Sequence, residues 1–208
     1  MKDRHPKALG RPRASEQKQP TNEKILHAAT ALFLANGYKE VSVDEVAKKC
    51  NVTKATVYYY YESKAALFTE TMVQMMVWIR KQMQTMLEDE LPLKTRLLNV
   101  AAAHLNATVD MDLDSFMREA KHVLTEQQTK KIQEAEQQMY AALEDAFIRE
   151  IKDGEISNIN PTFAAHTYAS LLKVGNYKNA DHKRIFSSTE ETAVQIIRFF
   201  WNGLFYEE

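Results

Sequence analysis

Residues 42–64 read SVDEVAKKCNVTKATVYYYYESK, and their reading decides the fold. Ser42 followed three residues later by Glu45 fits a capping box, so a short helix starts at Val43. Val43, Val46 and Ala47 fall on one side of it as an inner face. Cys50, Asn51 and Val52 then make a tight turn, with Asn51 the residue best able to take positive φ. Thr53 caps a second short helix, Lys54 to about Tyr60, crowded with hydroxyls and rings. Two short helices joined in this way form a helix-turn-helix, whose second helix is the one suited to the major groove of DNA.

Working outward, Thr21 is expected to cap a first helix from about Asn22 to Asn36. Ile25, Ala28, Ala29, Leu32 and Phe33 give it one apolar stripe. Gly37 ends that helix, since glycine readily takes the left-handed conformation, and Tyr38 and Val41 fold back on the stripe. Ser63 caps a long helix beginning near Lys64. Residues 1–20 lack hydrophobic periodicity, hold three prolines and six Lys or Arg, and read as a mobile arm. Within it Gly10-Arg11-Pro12-Arg13 resembles the core of an AT-hook, which would aim Arg11 and Arg13 at a minor groove. A merely solubilising tail fits the same residues.

Four consecutive tyrosines, Tyr58 to Tyr61, span the whole circumference of a helix with 3.6 residues per turn, so they cannot all be core. Tyr61, in register with Val57, is expected to be the buried ring.

The pattern Ile25-Leu26-x-Ala28-Ala29-x-x-Leu32-Phe33-x-x-x-Gly37-Tyr38, then Ser42-Val43-x-x-Val46-Ala47, then Val52-Thr53-x-Ala55-Thr56-Val57-Tyr58-x-x-Tyr61-x-Ser63-Lys64-x-x-Leu67 resembles the DNA-binding domain of the TetR family of bacterial regulators. Cys50-Asn51 stands where the family usually has Ala-Gly, Ala55 where Gly is frequent, and Tyr61 where Phe is usual. The resemblance implies that Thr56, Tyr58 and Lys64 position the protein on phosphates. Ser42 can do the same from the other side of the groove. Thr53, Lys54, Ala55, Tyr59 and Tyr60 form the base-edge surface, with Lys54 suited to a guanine edge.

Charge agrees with this division. Residues 1–66 hold 12 Lys+Arg against 7 Asp+Glu, whereas residues 67–208 hold 15 against 21. A basic front end on an acidic body is expected where one domain meets phosphate. Five Gly and five Pro in 208 residues leave little turn chemistry for an all-β design. The single cysteine, Cys50, suits a reducing cytoplasm. No run of about 18 apolar residues exists and the N-terminus is polar, so neither a membrane span nor an export signal is expected.

Beyond Leu67 the chain is one amphipathic segment after another: residues 64–88, 92–109, a short helix holding Phe116 and Met117, 125–152 closed by Gly154, 161–177 and 189–206. The expected architecture is all-α. A flexible arm (1–20) precedes a three-helix helix-turn-helix domain (21–66), joined to a helical ligand-binding and dimerisation domain (67–208). The last helix is apolar on more than one side, which requires more than one buried face. Ala165 and Ala169 on the preceding helix, with Ile196, Phe199, Phe200 and Leu204, are the expected homodimer interface. A larger monomeric core is the alternative. Two-fold symmetry implies a roughly palindromic operator.

The family resemblance also implies a small-molecule pocket in the body. Met72, Met75, Met76, Phe116, Met117, Tyr140 and Tyr168 are the candidates to line it for a small hydrophobic effector. The same residues fit an ordinary helical core. His104, His122 and His166 lie on different predicted helices without metal-site spacing, so no metal is expected. With no Gly-rich phosphate loop, nucleophile elbow or HExxH, no cofactor and no enzyme activity are expected either. Two readings remain: a ligand-responsive repressor, and a DNA-binding adaptor governed by a protein partner.

Overall fold

A computed structural model describes residues 19–108, 120, 122–181 and 183–205. Among them are eight helices: α1 Thr21–Glu40, α2 Val43–Lys49, α3 Lys54–Tyr60, α4 Lys64–Leu87, α5 Leu93–Thr108, α6 Glu126–Asp153, α7 Pro161–Gly175 and α8 Thr189–Leu204. The loop from α7 to α8 carries an isolated antiparallel bridge, Lys178 to Arg184, and the described residues contain no longer strand.

Side chains written into the sequence set most helix starts. The hydroxyls of Ser42, Thr53, Ser63, Thr125 and Ser188, and the Asn160 amide oxygen, each accept an otherwise orphaned backbone N–H. The first helix differs from expectation. Pro20 precedes it, no side chain caps it, and Thr21 lies inside it. Helical hydrogen bonding continues to Glu40, but Gly37 interrupts it with φ 80 and ψ 170, so the chain does bend where the glycine stands. Gly154 closes α6 in the left-handed conformation.

Asn51 takes φ 55 in the α2–α3 turn, a strained value for most side chains. Asn51→Val is therefore expected to lower stability by about 1–2 kcal/mol. Asn51→Gly should hold or raise it, and paired thermal melts would show the order.

Two cores result. The first gathers Ile25, Ala28, Ala29, Phe33, Tyr38, Val41, Val46 and Val57 around Leu67, Phe68 and Met72 from the start of α4. Phe68 meets Phe33 and Tyr38 edge-on, with ring centroids 5.3 and 5.1 Å apart. The second packs Leu87 from the end of α4 with α5, the later part of α6, α7 and α8. Helix α4 thus belongs to both cores. So does α6, since Ile132 lies in the first and Leu143, Ala146 and Phe147 in the second.

The expected dimer set needs correction. Ala165, Ile196 and Phe200 are 0%, 7% and 2% exposed in the protomer's own core, so no surface remains for a partner. Residues Ala193, Ile196, Ile197 and Phe200 share one inward stripe at helical spacing, and Phe199 falls outside that stripe. Ala169 is half-buried, Leu204 packs partly against the core, and Phe199 stands out at 71%.

Candidate nucleic-acid interface

Helix α3 shows the division that its sequence demands. Val57 is buried, while Tyr58, Tyr59 and Tyr60 are 43%, 82% and 43% exposed. Tyr59 and Tyr60 meet edge to face at 5.1 Å, which presents two rings as one surface. Thr53 and Ala55 are exposed beside them, and Thr56 is partly so. The Thr53 and Thr56 hydroxyls share a 2.8 Å hydrogen bond, so one proton there is already placed.

Tyr61 is half-buried rather than sealed. Its ring packs on the first core, and its hydroxyl donates to the Asn22 carbonyl at 3.3 Å, fastening the end of α3 to the start of α1. Burial pushes its pKa up to about 12, with Glu70 and Tyr60 adding to the shift. Tyr140 in α6 is likewise pushed up to about 12, first by burial and then by Glu136. An unfolded phenol titrates near pH 10, so both groups keep their protons longer in the folded chain. The contribution of these two groups to stability is therefore fully present below about pH 10 and lost as pH rises from there toward 12. Melts across this window should show the decline, and Tyr61→Phe should make it shallower. An equal slope in the variant would contradict the assignment.

The cations are less free than the sequence implies. Lys54 Nζ lies 2.6 Å from Asp44 Oδ2, which raises the lysine pKa. Lys64 turns its ammonium inward, donating to the Lys39 carbonyl at 3.1 Å and sitting 4.4 Å from the centre of the Tyr38 ring. Desolvation there lowers its pKa. This cation closes the carboxyl end of α1, so Lys64→Ala would disturb packing as well as any phosphate contact. Ser42 is engaged too. Its hydroxyl accepts the Glu45 N–H at 3.2 Å and donates to the Glu45 carboxylate at 2.8 Å. A phosphate at Ser42 would have to displace that carboxylate.

Lys24, His27 and Lys49, which belong to no sequence motif, line an open depression of about 370 Å³ between α1 and the α2–α3 turn. Their signal was faint, because three basic residues spread over 26 positions form no motif. Cys50 at its edge donates its thiol to the Val46 carbonyl, and burial pushes its pKa up. Arg11 and Arg13 lie outside the described residues.

The ligand candidates do not share a chamber. Met72 is sealed in the first core, with Met75 and Met76 packed at its edge. Tyr168 is sealed in the second and donates its hydroxyl to the Leu97 carbonyl at 2.7 Å. Tyr140 is half-buried, its ring tilted against that of His166 with centroids 4.5 Å apart. Phe116 and Met117 lie outside the described residues. Helical cores place methionine and tyrosine inside for packing alone, and that purpose accounts for Met72 and Tyr168. Among the described residues no group of three or more His, Cys, Asp or Glu could hold a metal ion, and no helix is long and apolar enough to cross a membrane.

A capped recognition helix with an unburied aromatic face, set on a larger helical body, defines a helix-turn-helix DNA-binding regulator. Residues 25–71 match the pattern described as "Bacterial regulatory proteins, tetR family", which makes this segment a TetR-family DNA-binding domain. The HTH-type transcriptional regulator YhgD of Bacillus subtilis is 28% identical over 149 residues, 71% of this chain and 78% of that protein. Two solved structures share the fold. A TetR-family regulator of Mesorhizobium loti superposes with a TM-score of 0.72 at 22% identity, covering 88% of this chain and 96% of that one. FadR of Bacillus subtilis, in complex with stearoyl-CoA, gives 0.68 at 17% identity over 88% and 98%. The family and these relatives are transcriptional regulators, not enzymes.

Proposed function

We propose that this chain is a cytoplasmic, ligand-responsive transcriptional repressor. It acts as a homodimer whose two heads (residues 21–66) bind a roughly palindromic operator, and a small hydrophobic effector in the body (residues 67–208) releases it. One observation carries the DNA-reading part. Tyr58, Tyr59 and Tyr60 stand exposed beside Thr53, Lys54 and Ala55 on a helix whose core duty is met by Val57. Rings and hydroxyls left outside the core, next to cations, suit base edges and phosphates.

The dimer reading is supported by Phe163 and Val174 on α7 and Val194 and Phe199 on α8, all at least half exposed. Apolar faces of this kind on adjacent helices mark a protein interface. An effector must bind the DNA-incompetent state more tightly to cause release. Helices α4 and α6, which run through both cores, are the elements able to carry such a change to the heads. Stearoyl-CoA, held by a regulator of the same fold, is the first effector to test.

In the test, a duplex is selected by the wild-type protein from a random pool. Tyr59→Ala is then expected to weaken binding to that duplex by roughly tenfold or more, as loss of a base-edge contact does. Because the side chain is exposed, the melting temperature should not move. Unchanged affinity would overturn the role given to α3. Stearoyl-CoA should raise the melting temperature and release the duplex. A flat response to lipophilic ligands would favour the protein-partner adaptor.

A further inference from the structure

Lys54 opens α3, and its ammonium rests on Asp44 in the first turn of α2. The two residues are ten apart in sequence and meet across the helix-turn-helix. Their side chains are 51% and 52% exposed, so water screens the pair and it adds little to stability. Nor is Asp44 needed to start α2, because Ser42 and Glu45 complete the capping box between them. The contact does have one clear consequence: it fixes where the charge of Lys54 points.

An unpaired lysine at a groove-facing helix attracts any phosphate, and phosphate neutralisation supplies essentially all non-specific DNA binding. A lysine already held by a carboxylate releases fewer counterions when it meets such a duplex. The carboxylate also repels the phosphate directly. A guanine edge differs, since its O6 and N7 acceptors lie at a fixed place in the major groove and offer hydrogen bonds in exchange.

We propose that Asp44 is a specificity-determining residue, which holds the Lys54 ammonium away from unrelated phosphates and yields it to a base edge in the operator. This rests on the reading of α3 as the DNA reader. Asp44 is a positioning residue acting through Lys54, and it works as much by weakening wrong complexes as by permitting the right one.

The experiment compares wild type with Asp44→Asn on two probes: the duplex that wild type selects from a random pool, and a random-sequence duplex. Affinity for the random duplex should rise several-fold, and the slope of log K against log salt should steepen by about 0.9 for each lysine freed. Affinity for the selected duplex should change less, so the specificity ratio falls. In a Lys54→Met background the same substitution should leave the ratio where it was. A ratio unchanged by Asp44→Asn, or one that falls equally without Lys54, overturns the proposal. If wild type enriches no duplex at all, it is the DNA-reading assignment that fails, a separate and recognisable result. Thermal melts of each variant should coincide with wild type, because the pair is exposed.

Discussion

Phe199→Asp is expected to convert the protein from dimer to monomer while leaving each protomer folded. Phe199 is 71% exposed, so the protomer's core does not depend on it. Buried at an interface, an aromatic anchor of this kind contributes about 2 kcal/mol or more. In a two-fold dimer the same residue counts twice, so the loss is about 4 kcal/mol, roughly a thousandfold in the dimerisation constant. Sedimentation at micromolar concentration should show dimer for wild type and monomer for the variant. Binding to a two-half-site duplex should fall with it, since each head then binds alone. A wild-type protein that sediments only as monomer would overturn the dimer. Phe200→Asp is the informative contrast: that ring is 2% exposed in the protomer's own core, so its loss should unfold the body instead.

The second large effect concerns Arg96. It is 7% exposed, and it donates through Nη1 to the Leu87 carbonyl at 2.7 Å and through Nη2 to Glu150 at 2.5 Å. One guanidinium therefore closes the carboxyl end of α4 and ties α5 to α6. Its Nε–H finds no partner among the described residues. Glu150→Ala strands this buried charge and is expected to cost about 3–5 kcal/mol of unfolding free energy in a denaturant titration. Replacing both partners with apolar residues, Arg96→Met with Glu150→Leu, should restore most of the loss. The penalty comes from desolvating an unpaired cation more than from losing the pair's attraction. A loss below about 1 kcal/mol for Glu150→Ala would place the pair among ordinary surface contacts.

Local chemistry made the front of the molecule legible. Ser42, Thr53 and Ser63 announce three helix starts because each needs only its own hydroxyl and the N–H groups just ahead of it. Asn51 declares its turn for an equally local reason. Contacts across elements were harder to read. Nothing in the spacing of Asp44 and Lys54 foretells that they meet, because the α2–α3 crossing brings them together. Glu150 and Arg96 lie 54 residues apart. The final helix shows the limit most plainly. Its apolar residues cover more than half of its circumference, and periodicity alone does not say whether Ile196 sides with Phe200 or with Phe199. The packing of α8 against α5 and α7 settles it. Met72 and Tyr168 pose a related ambiguity, since a residue type that suits a pocket also suits a core.

Two copies of this chain are proposed to place α3 in successive major grooves of one duplex. Selection from a random duplex pool by the wild-type protein, followed by footprinting of the enriched sequence, tests it most directly. The expected product is an inverted repeat whose half-sites lie about one helical turn apart, ~34–36 Å, with protection of both. An enriched site without two-fold symmetry, protected over a single half-site by a monomer, would contradict it.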